Sequence, residues 1–492
     1  MVQSPVTLMK RYPAFVGSFL GTSLMALTYL IFSGLPRYFY GDDYLLLMAS
    51  RSPNGYASSL IGCVNDLGSD KWRPMFVCTV APVLKLFDDR YWCYFLLNLA
   101  LIFLICLTVG SLLQRIVKIS EWSVAFCVFV LPFSRFAWYG RVSPYGLMEF
   151  GALLFALLFV RQFLSALAKQ SISSWYLAAG FATISALFHE RYLVLIAAGC
   201  LVALFNERNE RTRIPVAPWL IFSGSLLGIK LFLLQTDPLV GGGEAPFRSS
   251  ADTWILEHFL VGVKAVAGIG NGTNIAFDES GYVRLPVLGG LEKIWLVALI
   301  MTLLAALIFK VIRHQSVMTS KINRSHKLLM QHTVMCQLLV ISGLFLIIPA
   351  STVISRIEGR WLFGPEVFLF MFMIVVLRSQ KWRIVIVSSF LLFSTACLKF
   401  LPIYEDPMRL SNEVMEYVHE NLDGRTQLVY TIVDPMNRPQ SIGWIEWVLG
   451  YGDKFKQIGV ESALFVSNNE CTGSCIKLVL ADSERFDFRF DD

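Results

Sequence analysis

The sequence predicts an all-α polytopic membrane protein with about eleven transmembrane helices and a small α+β extracytoplasmic domain at its C-terminus. Three observations carry this. Across 492 residues, 55% of side chains are hydrophobic and only 16% are charged, where soluble domains carry about 25% charged residues. The apolar residues fall in blocks, several longer than the ~20 residues that cross a ~30 Å hydrocarbon core. The charge also divides along the chain. Residues 1–402 hold 34 basic and 20 acidic side chains, net +14, whereas 403–492 hold 8 basic and 16 acidic, net −8. A cytosolic enzyme, a disordered chain and a disulfide-stapled secreted module are excluded. The expected division is a membrane body over 1–402 and an acidic, water-soluble domain over 403–492.

The spans are expected at 13–33, 91–113, 121–136, 147–167, 174–188, 192–206, 216–234, 286–310, 332–353, 361–379 and 384–401. Lys10 and Arg11 precede the first without a small-residue cleavage site, so it reads as a spanning helix and not a removed signal peptide. His189-Glu190-Arg191 interrupts 174–206. Three polar residues at the bilayer centre are expensive, so they read as a turn between two helices. Basic residues gather in one set of short loops: Lys10/Arg11, Arg115/Lys118, Lys169, Arg208/Arg211/Arg213, Lys310 to Lys327, and Arg378/Lys381/Arg383. That side should be cytoplasmic, which leaves the tail outside. A basic body of this origin implies a lipid bilayer around it and no nucleic-acid partner.

Two long loops, 34–90 and 235–285, fall on the outer side, and loops of that length without function are uncommon. Pro74 suits a helix start, and 74–87 is an amphipathic run that would lie along the interface. Gly241-Gly242-Gly243 lacks the strand and Lys of a phosphate loop. Seven cysteines (Cys78, Cys93, Cys106, Cys127, Cys200, Cys336, Cys397) lie in or beside apolar runs and behave as small hydrophobes. Cys471 and Cys475 are the one plausible disulfide pair, given an oxidising compartment.

The sharpest candidate for chemistry is Tyr40-Gly41-Asp42-Asp43-Tyr44, directly after the first span. Adjacent carboxylates repel, which raises the pKa of one and equips it to take a proton from an acceptor hydroxyl. The competing reading of Asp42 and Asp43 is a solvated helix cap. Lys71-Trp72-Arg73-Pro74 follows. Arg73 could grip phosphate bidentately, or it could merely snorkel beside an anchoring Trp72.

Three further turns repeat the theme. They are Arg135 to Arg141, the run His189-Glu190-Arg191-Tyr192, and Arg356-Ile357-Glu358-Gly359-Arg360-Trp361. Any one Arg beside an acid reads first as a structural ion pair. Together, Arg141, Glu190, Arg191, Arg356, Glu358 and Arg360 would line a cationic, aromatic cavity suited to an anionic lipid headgroup bearing a sugar. Asp66 and Asp70 read as loop solvation, Asp278 and Glu279 as weak cation candidates, and Asn271-Gly272-Thr273 as a sequon that matters only in a eukaryotic secretory context. Glu149 and Glu366 read as bundle-facing, with Glu366 placed to support the Arg356–Arg360 turn.

This layout resembles the GT-C glycosyltransferases. Gly41-Asp42-Asp43-Tyr44 and Trp72-Arg73-Pro74-Met75 look most like the acidic pair and the GRP-like element of the Gtr-type O-antigen glucosyltransferases that convert bacterial serotype. Lys-Trp-Arg-Pro here lacks the Gly before Arg. The resemblance spans about residues 10–400 and leaves the tail unmatched. It implies transfer of a sugar, glucose foremost, from a polyprenyl-phosphate donor to a glycan acceptor such as lipopolysaccharide O-antigen. The setting would be the outer face of a bacterial inner membrane, with a flippase and a polyprenyl-phosphate sugar synthase as functional partners.

In such a scheme Asp42 or Asp43 deprotonates the acceptor. Arg73, Arg141, Arg191, Arg356 and Arg360 hold the departing phosphate, and single displacement gives inversion. No cofactor is required, and no divalent cation is indicated. Two other classes stay open, a transporter or flippase of lipid-linked glycans and an O-antigen polymerase. A transporter would place polar residues in broken helices near mid-membrane, whereas the charges here gather at one face.

Overall fold

The structure, a computed structural model, describes residues 12–39, 42–52, 73–114, 120–137, 139–207, 215–229, 273–276, 282–284, 323–352, 359–377, 380–399, 407–421, 426–435, 441–471, 475–480 and 486–491, with four further positions between 259 and 266. The body is helical. Helix α1 (Pro13–Ser33) starts on a proline and ends at Gly34, whose φ of 76° is a backbone angle that glycine adopts freely. Helices α2 (Asp42–Arg51) and α3 (Pro74–Phe87) follow, then α4 (Tyr91–Leu112) and α5 (Glu121–Val130). The helix expected to open at Pro74 does so, and it buries Phe76, Val77, Val80, Ala81 and Leu84 along one stripe.

Pro132 ends α5 in a run of short 3-10 turns, Leu131–Phe133, Arg135–Ala137 and Tyr139–Arg141. Next come α6 (Gly146–Lys169), α7 (Ile172–Phe188), a 3-10 turn Glu190–Leu193, α8 (Val194–Glu207) and α9 (Ala217–Gly228). A short antiparallel hairpin, β1 (Thr273–Ala276) with β2 (Tyr282–Arg284), precedes α10 (Asn323–Thr352), α11 (Phe363–Val376) and α12 (Gln380–Lys399).

Helix α6 runs through the middle, with both faces covered for most of its length. Its aromatic side chains knit it to α7 and α9. Phe163 meets Trp175 edge-on at 5.0 Å between centroids, and Phe159 meets Trp219 at 5.7 Å. Helix α1 lies directly on α5. Added Cβ atoms on Gly17 and Gly21 would stand 2.2 and 2.3 Å from the carbonyl oxygens of Ala125 and Phe129. Small residues that let helix backbones approach are how membrane helices associate without a hydrophobic driving force between them.

Among the described residues four helices are long and apolar enough to cross a membrane: Pro13–Ile31, Tyr91–Leu112, Gly146–Lys169 and His332–Pro349. The expected count of about eleven is thereby corrected. Helices do stand at most of the expected places, but α5, α7, α9 and α11 are shorter apolar helices. At 1.5 Å per residue, the 14 residues of α8 or α11 reach about 21 Å of a ~30 Å core. The breaks have local causes, Pro132 after α5 and the polar run at His189 after α7. The expected span 286–310 lies outside the described residues.

The C-terminal segment is a compact α+β unit. Strand β3 (Gln427–Val433) pairs in parallel with β4 (Ser462–Phe465) and β5 (Cys475–Leu480), and β6 (Phe486–Asp491) closes antiparallel on β5. Helices α13 (Pro407–Asn421) and α14 (Ser441–Val448) and a 3-10 segment Gly450–Ile458 complete it. Cys471 and Cys475 form a disulfide with their Cα atoms 5.4 Å apart. Cys78 is also disulfide-bonded and so is not the free hydrophobe expected.

Candidate functional site

Asp43 is the second residue of α2 and only 2% exposed. It is therefore not a solvated cap. Its Oδ2 accepts from the Tyr91 hydroxyl at 2.8 Å and its Oδ1 from the Ser143 hydroxyl at 2.6 Å. Tyr91 opens α4 and is fixed edge-on by Phe39, centroids 4.6 Å apart. Ser143 sits in the turn before α6, which Asn98 ties down. One side-chain amide donates to the carbonyls of Gly140 (3.0 Å) and Ser143 (2.8 Å). That turn closes so tightly that a Cβ on Gly146 would lie 2.1 Å from the Gly140 oxygen. Asp42 begins α2, but its side chain, like Trp72, Arg356 and Glu358, lies outside the described residues. Of Arg360 only the backbone is described, in the 3-10 turn Gly359–Leu362.

The second cluster forms where α7 breaks. His189 is extended (φ −149°, ψ 117°), and this turns Glu190 back toward the start of α3. Arg73 meets Glu190 through two parallel bonds, Nε to Oε2 and Nη2 to Oε1, both 2.5 Å, with each side chain 13% exposed. Burial alone would raise the Glu190 carboxyl, but Arg73 and His189 hold it well below the usual carboxylate range. Burial likewise opposes the Arg73 cation, and Glu190 more than restores it. The pair is ionised.

Fully buried His189 lies between two glutamates, Nε2 3.3 Å from Glu149 and Nδ1 3.3 Å from Glu190. Its Nδ1 is also 3.4 Å from the Arg191 amide. Doubly protonated, the imidazole bridges both acids; protonated on Nε2 alone, it serves Glu149 and accepts from Arg191. The Arg191 guanidinium stacks 3.4 Å over the Trp361 ring.

Arg141 behaves otherwise than expected. It is fully buried, and its Nη2 donates to the carbonyl oxygens of Pro132 and Ser134, the latter at 3.1 Å. In this position it holds the turns after α5 together and presents no face to a ligand. Glu366 accepts from the Ser134 hydroxyl; the Arg356–Arg360 side chains it was expected to brace lie outside the described residues.

The two clusters are linked through one stretch of chain. Within seven residues, the entry to α6 touches both (Ser143 to Asp43, and Glu149 to His189). Between them Tyr145 stacks on Phe76 of α3 with centroids 5.4 Å apart, and the Met148 sulfur lies 3.1 Å from Arg73 Nη1. A buried carboxylate thus stands at one end and a cation-bearing, aromatic-edged cluster at the other. Tyr91, Ser143 and Asn98 were not singled out from sequence, because nothing local distinguishes a hydroxyl or amide that will meet a partner far along the chain. His189 had a signal, its place in a polar run between two apolar segments. Among the described residues no group of three or more His, Cys, Asp and Glu is placed to hold a metal ion. Compared with protein-family models and with curated protein sequences, the chain has no match.

Proposed function

We propose that the protein is an inverting membrane glycosyltransferase of the GT-C kind. It moves a sugar, glucose by the resemblance, from a polyprenyl-phosphate donor to an extracytoplasmic glycan such as O-antigen. The observation that carries the reading is the entry to α6, which joins the buried Asp43 carboxylate to the Arg73–Glu190–His189 cluster. Asp43 takes the proton of the acceptor hydroxyl as that oxygen attacks the anomeric carbon. The bond from that carbon to the phosphate oxygen breaks, and the phosphate leaves with the electron pair. A phosphate leaving group needs held positive charge more than a proton. Arg73 and Arg191 supply it here, with Arg360 and Arg356 as further donors, and Glu190 fixes the Arg73 fork until phosphate shares it.

The membrane is the cell's inner membrane and the C-terminal unit is periplasmic in this proposal. Support comes from the disulfide Cys471–Cys475 and the disulfide-bonded Cys78, since such bonds persist on the oxidising side. A flippase and a polyprenyl-phosphate sugar synthase would supply the donor. The test incubates the purified protein with a panel of polyprenyl-phosphate sugars and an O-antigen acceptor. Release of polyprenyl phosphate with one donor is the expected result, and no release with any donor rejects the reading.

One observation favours a second reading, transport of a lipid-linked glycan. His189 and Glu149 make a buried polar pair beside a broken helix, the kind of feature transporters use. Movement of intact donor across proteoliposomes without release of polyprenyl phosphate would select it.

A further inference from the structure

Helices α1, α5 and α12 run in the same direction. Gly17 and Gly21 of α1 face Ala125 and Phe129 of α5 in the same order along the chain. Helix α12 packs on α5 and also reaches the turns that follow α5. Near their starts the three helices enclose a groove of about 340 Å³. Its walls are Leu20 from α1, Trp122, Phe126 and Phe129 from α5, and Ile384 from α12. Gly17 has no side chain to fill it. The lining is otherwise hydrophobic apart from Ser123, whose hydroxyl Ser120 already engages at 2.9 Å, and Gln380, the first residue of α12.

The groove opens sideways, since Leu20, Trp122 and Ile384 on its rim are 51%, 53% and 44% exposed. Helix α1 is long and apolar enough to cross a membrane, so an opening on its flank faces acyl chains. Charge then selects one class of lipid. The stretches leading into the three helices, 10–12, 113–121 and 378–383, contain seven basic side chains and one acid, Glu121. Arg383 is turned inward, its Nε donating to the Ile374 carbonyl at 3.1 Å. Lys381 is exposed instead, and with Val385 four residues on it forms the stripe beside Gln380 and Ile384. Exposed Trp122 and Trp382 stand at the same helix starts, as aromatic residues do at a membrane–water boundary.

We propose that this groove holds one anionic phospholipid from the leaflet on the basic side. An acyl chain lies along Leu20, Phe126 and Phe129, and the phosphate sits at the mouth by Lys381 and Gln380. Basic clefts between membrane helices take such headgroups. A zwitterionic headgroup carries its own cation and gains less from Lys381. The site goes beyond the transferase reading and is independent of it, because a lipid held in this way neither donates nor accepts a sugar.

The probe is phosphatidylglycerol brominated along its acyl chains, which quenches tryptophan on contact, with brominated phosphatidylcholine as the neutral comparison. Full-length protein is reconstituted in vesicles of the two headgroups at varied ratio, one of them brominated at a time. The emission lost in Trp122→Phe identifies the share that belongs to the groove. That share should be quenched at a lower mole fraction by the phosphatidylglycerol probe. Lys381→Gln should cut the preference about fivefold, the effect of one basic side chain near an anionic lipid.

Equal quenching by both probes at Trp122 overturns the site. A preference undiminished in Lys381→Gln puts the headgroup elsewhere and overturns it as well. If Trp122→Phe does not accumulate, native mass spectrometry of the wild type and Lys381→Gln takes its place. From an equimolar mixture of the two lipids the wild type should retain one phosphatidylglycerol, and Lys381→Gln should lose it. No retained lipid, or a second copy of the chain in its place, rejects the proposal.

Discussion

Ser143 donates its hydroxyl to Asp43 at 2.6 Å across 100 residues of chain, and this bond fixes the acidic segment to the entry of α6. Its consequence is directional. With Tyr91 on the other oxygen, the carboxylate is held in one rotamer, which under the proposed transfer would preorganise the proton acceptor.

Asp43→Asn is therefore expected to keep the fold and lose catalysis. An amide retains one acceptor oxygen for Tyr91 or Ser143 but cannot take a proton. Sugar transfer should fall about 10²–10⁴-fold, the range general-base removal usually costs. Asp42→Asn should fall far less if Asp43 is the base. Equal activity of Asp43→Asn and wild type in the polyprenyl-phosphate release assay would remove Asp43 from that role.

Breaking the Arg73–Glu190 pair should destabilise the protein strongly. Both groups are mostly buried and doubly bonded, so Glu190→Gln leaves a guanidinium without its counter-charge. Removing one partner of a buried pair costs about 3–5 kcal/mol. Replacing both, as Arg73→Met with Glu190→Leu, should restore most of the thermal midpoint while leaving transfer abolished. A double variant no more stable than the single one would show that the pair contributes through something other than its charge.

The same carboxylate fixes a pH dependence. Glu190 has a folded-state pKa well below the ordinary 4.5. The stability it contributes is fully present above the unfolded value and is lost as pH falls toward the folded one. Thermal midpoints measured from neutral pH downward should decline below about pH 4.5. Glu190→Gln should start lower and lose that part of the slope. Parallel curves for the two proteins would show that other carboxylates account for the acid sensitivity.

Much of this was legible from sequence wherever the signal was local. Pro74 starts a helix, the polar run at His189 ends one, and the excess of acids beyond residue 402 falls on the segment that folds as α+β. Span counting failed because hydropathy reads composition, while α8 and α11 show that an apolar run can be too short to cross. Arg141 is a related case. Its burial is decided by where the carbonyls of Pro132 and Ser134 fall, and no spacing encodes that. Lys454 is wholly buried and bonded to Ser411 and Val448 of its own unit, whereas a lysine in a charged tail reads from sequence as solvated. One further local signal lies in Gly17 and Gly21, four apart in an apolar helix.

That pair yields the last prediction. Gly17→Ala and Gly21→Ala each put a methyl into the backbone of α5, 2.2 Å from the Ala125 oxygen and 2.3 Å from the Phe129 oxygen. Backbone cannot rotate aside as a side chain can, so α1 must lift off, and α2 with Asp43 follows closely behind α1 in the chain. Overpacking of this kind costs about 1–3 kcal/mol, against a gain of at most about 1 kcal/mol from replacing a helical glycine. Both variants should show lower thermal midpoints, with the double variant lower still. Gly224→Ala in α9 is the control, because nothing lies within 4 Å of its added Cβ, and its midpoint should hold or rise. If all three alanines behave alike, α1 and α5 are not in backbone contact, and the placement of Asp43 at the end of that helix pair loses its support.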